Sequence, residues 1–188
     1  MENRTQHTYS KAIYEFVNDI LVVCPNCAGS ALVKTGGFHT MTQDRYDIKV
    51  VCSGCGFNKT LENVSPRKDE KQKRGNILIF GAPVDPFFHL PVWLSADFSG
   101  ETLWAYNLEH LNFLAEHVSA KLRERNSLAF NVRSIGARLP RWMTAADNRE
   151  AILKAIEKLK LMETKLGHAL MASYLEGRLM RAQKENTL

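Results

Sequence analysis

Several things are missing from this chain of 188 residues, and each absence narrows its chemistry. No apolar run approaches the roughly 18 residues of a membrane-spanning helix. The opening stretch "MENRTQHTYSK" lacks a basic start followed by an apolar segment, so it does not read as a secretory signal. Together these predict a cytoplasmic protein with no membrane partner. Reaction motifs are also absent: there is no HExxH, no Walker A loop, no GxSxG and no GxGxxG following a strand. The expectation is a binding protein, not an enzyme, with no small-molecule substrate.

Cysteine is scarce but not scattered. The only four are Cys24, Cys27, Cys52 and Cys55, in the pattern C-x2-C-x24-C-x2-C. In a reducing compartment, paired thiols at this spacing favour a metal over disulfides. Each Cys-x-x-Cys turn lets two sulfurs converge on one ion. Pro25 and Gly56 suit such turns, because proline fixes φ and glycine accepts the turn after the second cysteine. Zn²⁺ matches a set of four thiolates, and with every position filled by protein the ion is expected to be structural. No thiol then remains as a nucleophile. Between the pairs, "ALVKTGGF" and "RYDIKVV" read as short strands. Knuckle, strand, loop, strand, knuckle describes a zinc ribbon.

Lysine and arginine are missing from positions 76–106, which carry Asp85, Asp97 and Glu101. The same region is dense in Phe87, Phe88, Trp93, Trp104 and Tyr106. Pro83, Pro86 and Pro91 forbid long regular elements there, and "PVWL" and "TLWAY" read as strands joined by a turn at "DFSGE". Aromatics at this density are core or, more sharply, a partner-binding patch. The carboxylates are candidate acid and base groups, although turn-forming Asp explains two of them more simply.

Helical spacing appears in three places. "YSKAIYEFVNDILVV" sets Ile13, Phe16, Val17 and Ile20 on one face and predicts an N-terminal helix. "NLEHLNFLAEHVSAKLRERN" predicts a second helix, capped by Asn107, with Leu108, Leu111, Ala115, Val118 and Leu122 as its stripe. "TAADNREAILKAIEKLKLM" predicts a third, with Ile152, Ile156 and Leu159 facing inward and capping-box pairs Thr144/Asp147 and Asp147/Glu150. Helical composition continues from Glu163 to about Lys184, weakened by Gly167 and Gly177. His110 and His117 are read as packing or surface residues, since they lack metal-site spacing.

The expected fold class is α+β. Residues 1–62 form a helix plus a Cys₄ ribbon. Residues 63–76, "NVSPRKDEKQKRGN", form a charged linker, and 77–188 form a larger domain of short strands and C-terminal helices.

"DPFFHLPVWL", "ETLWAYNLEHLNFLAEHVSAKLRER" and "RLPRWMTAADNREAILKAIEKL" resemble bacterial proteins labelled TFIIB-type zinc ribbon-containing. The resemblance spans roughly residues 20–160. It departs at "SADFSG", where many relatives carry cysteines. Such proteins are similar to immunity proteins encoded beside Rhs-type polymorphic toxins. The resemblance therefore implies an antitoxin that binds and sterically blocks a cognate toxin, such as an ADP-ribosyltransferase or a nuclease. Acidic groups in its interface would suit a basic toxin cleft. The candidate toxin-binding residues are Asp85, Trp93, Asp97, Glu101, Trp104 and Tyr106. The alternative is a nucleic-acid-binding regulatory ribbon that uses Lys34, Arg45, Lys49 and Lys59, helped by the basic linker.

Overall fold

The computed structural model describes residues 11–41, 44–65, 77–120 and 134–163, with the backbone of 4–5 and 122–123. Helices and antiparallel sheets are both present, so the class is α+β.

A four-stranded antiparallel sheet forms the first half. Its strands are β2 (Ile20–Val23), β3 (Ser30–Lys34), β4 (Tyr46–Val51) and β5 (Asn58–Val64), in that order across the sheet. A short parallel pair, β1 (Arg4–Thr5) with β8 (Leu122–Arg123), lies apart from it. The inner face of the sheet is set by the two-residue period of a strand. Ile20 pairs with Val33 and Val33 with Val50, and all three are buried. Val22 and Ala31 form the next buried pair.

The expected N-terminal helix is replaced by a four-residue 3-10 turn, Ile13–Phe16, followed by strand β2. Two local features override the helical spacing. Asp19 takes a left-handed φ of 47°, which breaks the helix before a second turn forms. Ile20, Val22 and Val23 are β-branched and find sheet partners on both sides.

β2 is not an edge strand. β3 lies on one side. On the other, Val22 bridges Val92, Val23 donates to the Pro91 carbonyl, Leu21 donates to the Tyr106 carbonyl, and Trp93 donates back to Leu21. The segment after residue 77 is thereby sewn to the four-stranded sheet by backbone hydrogen bonds. One hydrophobic cluster runs from Phe16 and Val33 through Leu94 and Leu103 to Ile152 and Ile156. The division drawn at 63–76 is thus not a gap between two cores. Residues 63–64 complete β5, and residues 66–76, with Arg67, Lys68, Lys71, Lys73 and Arg74, fall outside the described residues.

A hairpin follows, β6 (Leu94–Phe98) with β7 (Glu101–Ala105). Its turn residues Ser99 and Gly100 have φ of 54° and 83°, both left-handed, as a tight two-residue hairpin requires. Leu94, Leu103 and Ala105 face inward and are buried. Helix α1 (Leu108–Ser119) starts where Asn107 caps it: the side-chain oxygen accepts the His110 amide at 2.9 Å. The Asn107 amide also donates to the Phe16 and Asn18 carbonyls, tying the N-terminal turn to the helix. Two one-turn helices, α2 (Ile135–Arg138) and α3 (Arg141–Thr144), lead into α4, residues 149–163. Its Ile152, Ile156 and Leu159 are buried as the pattern predicts. Arg149 Nε donates to the Val118 carbonyl at 3.0 Å, satisfying an open acceptor at the end of α1. The expected continuation of helix from 164 to 184 lies outside the described residues.

Candidate metal centre and contact surface

The two knuckles are built by the same backbone hydrogen bonds. In the first, Cys24 N donates to Gly29 O at 2.7 Å, and Ala28 N donates to Cys24 O at 3.0 Å. In the second, Cys52 N donates to Phe57 O at 2.8 Å, and Gly56 N donates to Cys52 O at 3.0 Å. β2 and β3 flank the first knuckle, β4 and β5 the second, so the sheet register brings the two turns together. The sulfurs of Cys24 and Cys55 are 3.7 Å apart, as are those of Cys27 and Cys52. All four lie within 4.8 Å of one another. These separations far exceed the roughly 2.05 Å of a disulfide. They leave room for one ion held by four ligands. Among the described residues this is the one group of three or more such side chains placed to hold a metal.

The environment is asymmetric. Cys24 and Cys52 are buried, while Cys27 and Cys55 are exposed. The Asn26 amide lies 3.4 Å from the Cys24 sulfur. For Cys27, the Gly29 amide pulls the thiol down, but neighbouring Cys55 and Cys52 outweigh it and push the pKa up to about 12. Cys55 is drawn down to about 6, first by the Asn26 side chain and then by the Phe57 amide. Thiols this close resist ionising together. A cation among them removes that repulsion and lets all four serve as thiolate ligands. The chemistry and spacing of the donors therefore fit a metal centre.

The six candidate contact residues do not form one surface. Asp85 is fully buried. Its carboxylate accepts the amides of Phe87 (2.9 Å), Phe88 (2.8 Å) and Leu90 (2.7 Å). Burial pushes this carboxyl above its ordinary range, and the three amides pull against that. It organises the proline-rich loop and presents nothing to a partner. Tyr106 is also fully buried, with its hydroxyl accepting the Gly81 amide at 3.1 Å. These two residues leave the contact set.

Asp97 and Glu101 are both exposed, but they lie on opposite faces of the hairpin. Asp97 stands opposite Thr102, and Phe98 stands opposite Glu101. Directly paired residues share a face and successive residues alternate. The three carboxylates therefore do not converge as an acid–base pair. Trp104 is half-buried, with its ring centroid 5.0 Å from Tyr106 and 5.5 Å from His110. Trp93 is half-buried at the seam with β2, and its indole Nε1 has no acceptor among the described residues.

Sequence reasoning passed over the residues that shape the sulfur environment: Asn26, Ala28, Gly29 and Phe57. The signal was positional, since Ala28 follows Cys27 as Gly56 follows Cys55. His110 and His117 are buried, consistent with a packing role, and His110 Nδ1 accepts the Tyr106 amide at 3.2 Å. Compared with protein-family models, curated proteins and solved structures, the chain matches none.

Proposed function

We propose that this protein is a cytoplasmic immunity protein that binds a cognate antibacterial toxin domain and covers its working surface, with a structural Zn²⁺ holding the ribbon. The toxin class that fits is an Rhs-type ADP-ribosyltransferase or nuclease. The protein carries out no turnover in this reading; its action is steric.

For the metal, the sulfur spacing supports zinc. A tetrahedral ion with Zn–S bonds of about 2.3 Å places its sulfurs about 3.8 Å apart. The Cys24–Cys55 and Cys27–Cys52 pairs here are at 3.7 Å. Cys24, Cys27, Cys52 and Cys55 would supply all four ligands and leave no position for a substrate.

The observation that carries the binding reading is the exposed tip of the β6–β7 hairpin. Asp97, Ser99, Gly100, Glu101 and Thr102 are all exposed. The base of the hairpin is fixed to β2, and Phe98 stacks on Trp142 with ring centroids 5.4 Å apart. A rigid acidic tip loses little freedom on binding. Its charge favours fast association with a basic cleft. Trp104 and Trp93 supply aromatic area near the base.

Co-expression with the toxin encoded beside the gene tests this. Growth should be rescued by the wild-type chain, and purified protein should bind the toxin domain. Growth arrest despite soluble expression of both would end the proposal.

A further inference from the structure

The four sulfurs are not equivalent, and their closest contacts run between the knuckles. Cys27 lies 3.7 Å from Cys52, and Cys24 lies 3.7 Å from Cys55. Each of these pairs joins an exposed sulfur of one turn to a buried sulfur of the other. What surrounds the two pairs differs.

The Cys24–Cys55 pair is held by N–H donors. The Asn26 backbone amide lies 3.4 Å from Cys24 Sγ, and Cys55 takes the Asn26 side chain and the Phe57 amide. Donors of this kind stabilise a charged sulfur and blunt its nucleophilicity.

The Cys27–Cys52 pair has less support. Cys27 takes the Gly29 amide, but Cys52 faces an acceptor: its thiol donates to the Ser30 carbonyl at 3.4 Å. A thiolate at Cys52 meets the partial negative charge of that oxygen, whereas a neutral disulfide sulfur does not. Glycines also flank this pair. A Cβ built on Gly29 would stand 3.4 Å from Cys27 Sγ, and one on Gly54 would stand 3.8 Å from Cys52 Sγ. Neither position carries a side chain that covers the sulfur beside it. The turns themselves, residues 25–28 and 53–56, are exposed.

We infer that Cys27 and Cys52 form a reversible oxidation site whose co-reactant is a peroxide, with Cys27 oxidised first and Cys52 resolving it. The Cys27 thiolate attacks one oxygen of hydrogen peroxide. An S–O bond forms, the O–O bond breaks and hydroxide leaves. The Cys52 thiolate then attacks the Cys27 sulfur. An S–S bond forms, the S–O bond breaks and a second hydroxide leaves. The two sulfurs give up two electrons, the peroxide oxygens take them, and two solvent protons turn the hydroxides into water. Both thiolates are thereby withdrawn from the metal, and Cys24 with Cys55 cannot complete a four-sulfur site. Metal release rests on the zinc reading above; the bridge rests on the sulfur geometry alone.

The bridge joins the same two knuckles that the metal joins, closing the 24 residues between Cys27 and Cys52. Chelation removes a clip and leaves nothing in its place. Oxidation exchanges a metal clip for a covalent one, so the oxidised chain is metal-free and still folded.

The test titrates the full chain, purified with its metal, with hydrogen peroxide. A chromogenic chelator follows zinc, non-reducing peptide mapping identifies the first bridge, dimedone traps sulfenic acid, and thermal unfolding reports the fold. Expected are dimedone on Cys27, a Cys27–Cys52 bridge, release of the bound zinc and a retained cooperative transition. Dithiothreitol with added zinc should reverse all of it. A first bridge within one knuckle or between Cys24 and Cys55 overturns the inference, as does a disulfide between chains. Sulfinic acid on Cys27 in place of a bridge, loss of the cooperative transition, or thiols that stay reduced in excess peroxide overturn it as well. Fresh protein that contains no zinc before any oxidant is added ends the zinc reading, and the bridge mapping still decides this one.

Discussion

Ala28 and Gly56 occupy the same place in the two knuckles, and only one of them is glycine. Ala28 sits at φ 58° and Gly56 at φ 75°. For an L-residue this left-handed region costs roughly 1–2 kcal/mol, and for glycine almost nothing. Ala28→Gly should therefore stabilise the protein by up to about 1 kcal/mol, after the extra freedom of glycine in the unfolded chain is set against the relieved strain. Gly56→Ala should destabilise it by about 1 kcal/mol. Nothing lies within 4 Å of a Cβ built on Gly56, so the whole effect would be conformational. Denaturant unfolding at fixed metal concentration measures both. A loss of stability in Ala28→Gly would contradict the shared geometry.

Asp85 offers a sharper case. Its two oxygens serve three amides in a site closed to water. Asp85→Asn turns an amide donor toward at least one of those donors: Leu90 alone if it replaces Oδ2, both Phe87 and Phe88 if it replaces Oδ1. The expected loss is about 2–3 kcal/mol, and for Asp85→Ala about 3 kcal/mol or more, because buried donors are left unsatisfied. Urea titration of the two variants gives the comparison. An Asp85→Asn variant as stable as wild type would show that the carboxylate does not organise the loop.

His110 should make the fold acid-sensitive. Burial depresses its pKa to about 3, against 6.5 when exposed. The unfolded chain therefore binds the proton first as pH falls. Stability from this group is complete above about pH 6.5 and declines as pH drops towards 3. The slope is about 1.4 kcal/mol per pH unit well inside that window. His110→Gln keeps a side-chain acceptor for the Tyr106 amide and removes the titration. Its stability between pH 6.5 and 5 should fall less steeply than that of the wild type. Parallel slopes would mean that His110 is not the group responsible.

Metal removal should disorder the ribbon first. Ligand formation and folding are coupled in small Cys₄ modules. Cys24→Ser and Cys27→Ser should each abolish stoichiometric zinc, although one sulfur is buried and the other exposed. Chelation of the wild type should also shift tryptophan emission, because the Trp93 segment is hydrogen-bonded to β2. Metal analysis by emission spectroscopy and a fluorescence titration against chelator check the pair of outcomes. Emission unchanged after complete metal loss would uncouple the clip from that seam.

The clustering of the four cysteines was legible because its chemistry is local: two residues between cysteines define each turn whatever the rest of the chain does. The hairpin was legible for the same reason, since "FSGE" needs left-handed residues at its centre. The N-terminal segment misled because Ile13, Phe16, Val17 and Ile20 fit helical spacing, while the partners that make Ile20–Val23 a strand lie ten residues on, in β3, and about seventy residues on, at 91–93. Asp85, Asp97 and Glu101 looked like one group by sequence distance. Burial removed the first, and the two-residue period of the hairpin put the others on opposite faces.

The double-sided pairing of β2 also governs how the chain can be cut. A fragment ending at the loop after β5 would keep all four cysteines but lose the 91–93 segment and Tyr106. Val22, Val23 and Leu21 would then stand on an open, apolar strand edge, the kind of template on which other chains add and aggregate. The half that carries the four cysteines would bare that edge on its own, so the shielding of β2 is a property lent to it by sequence seventy residues away.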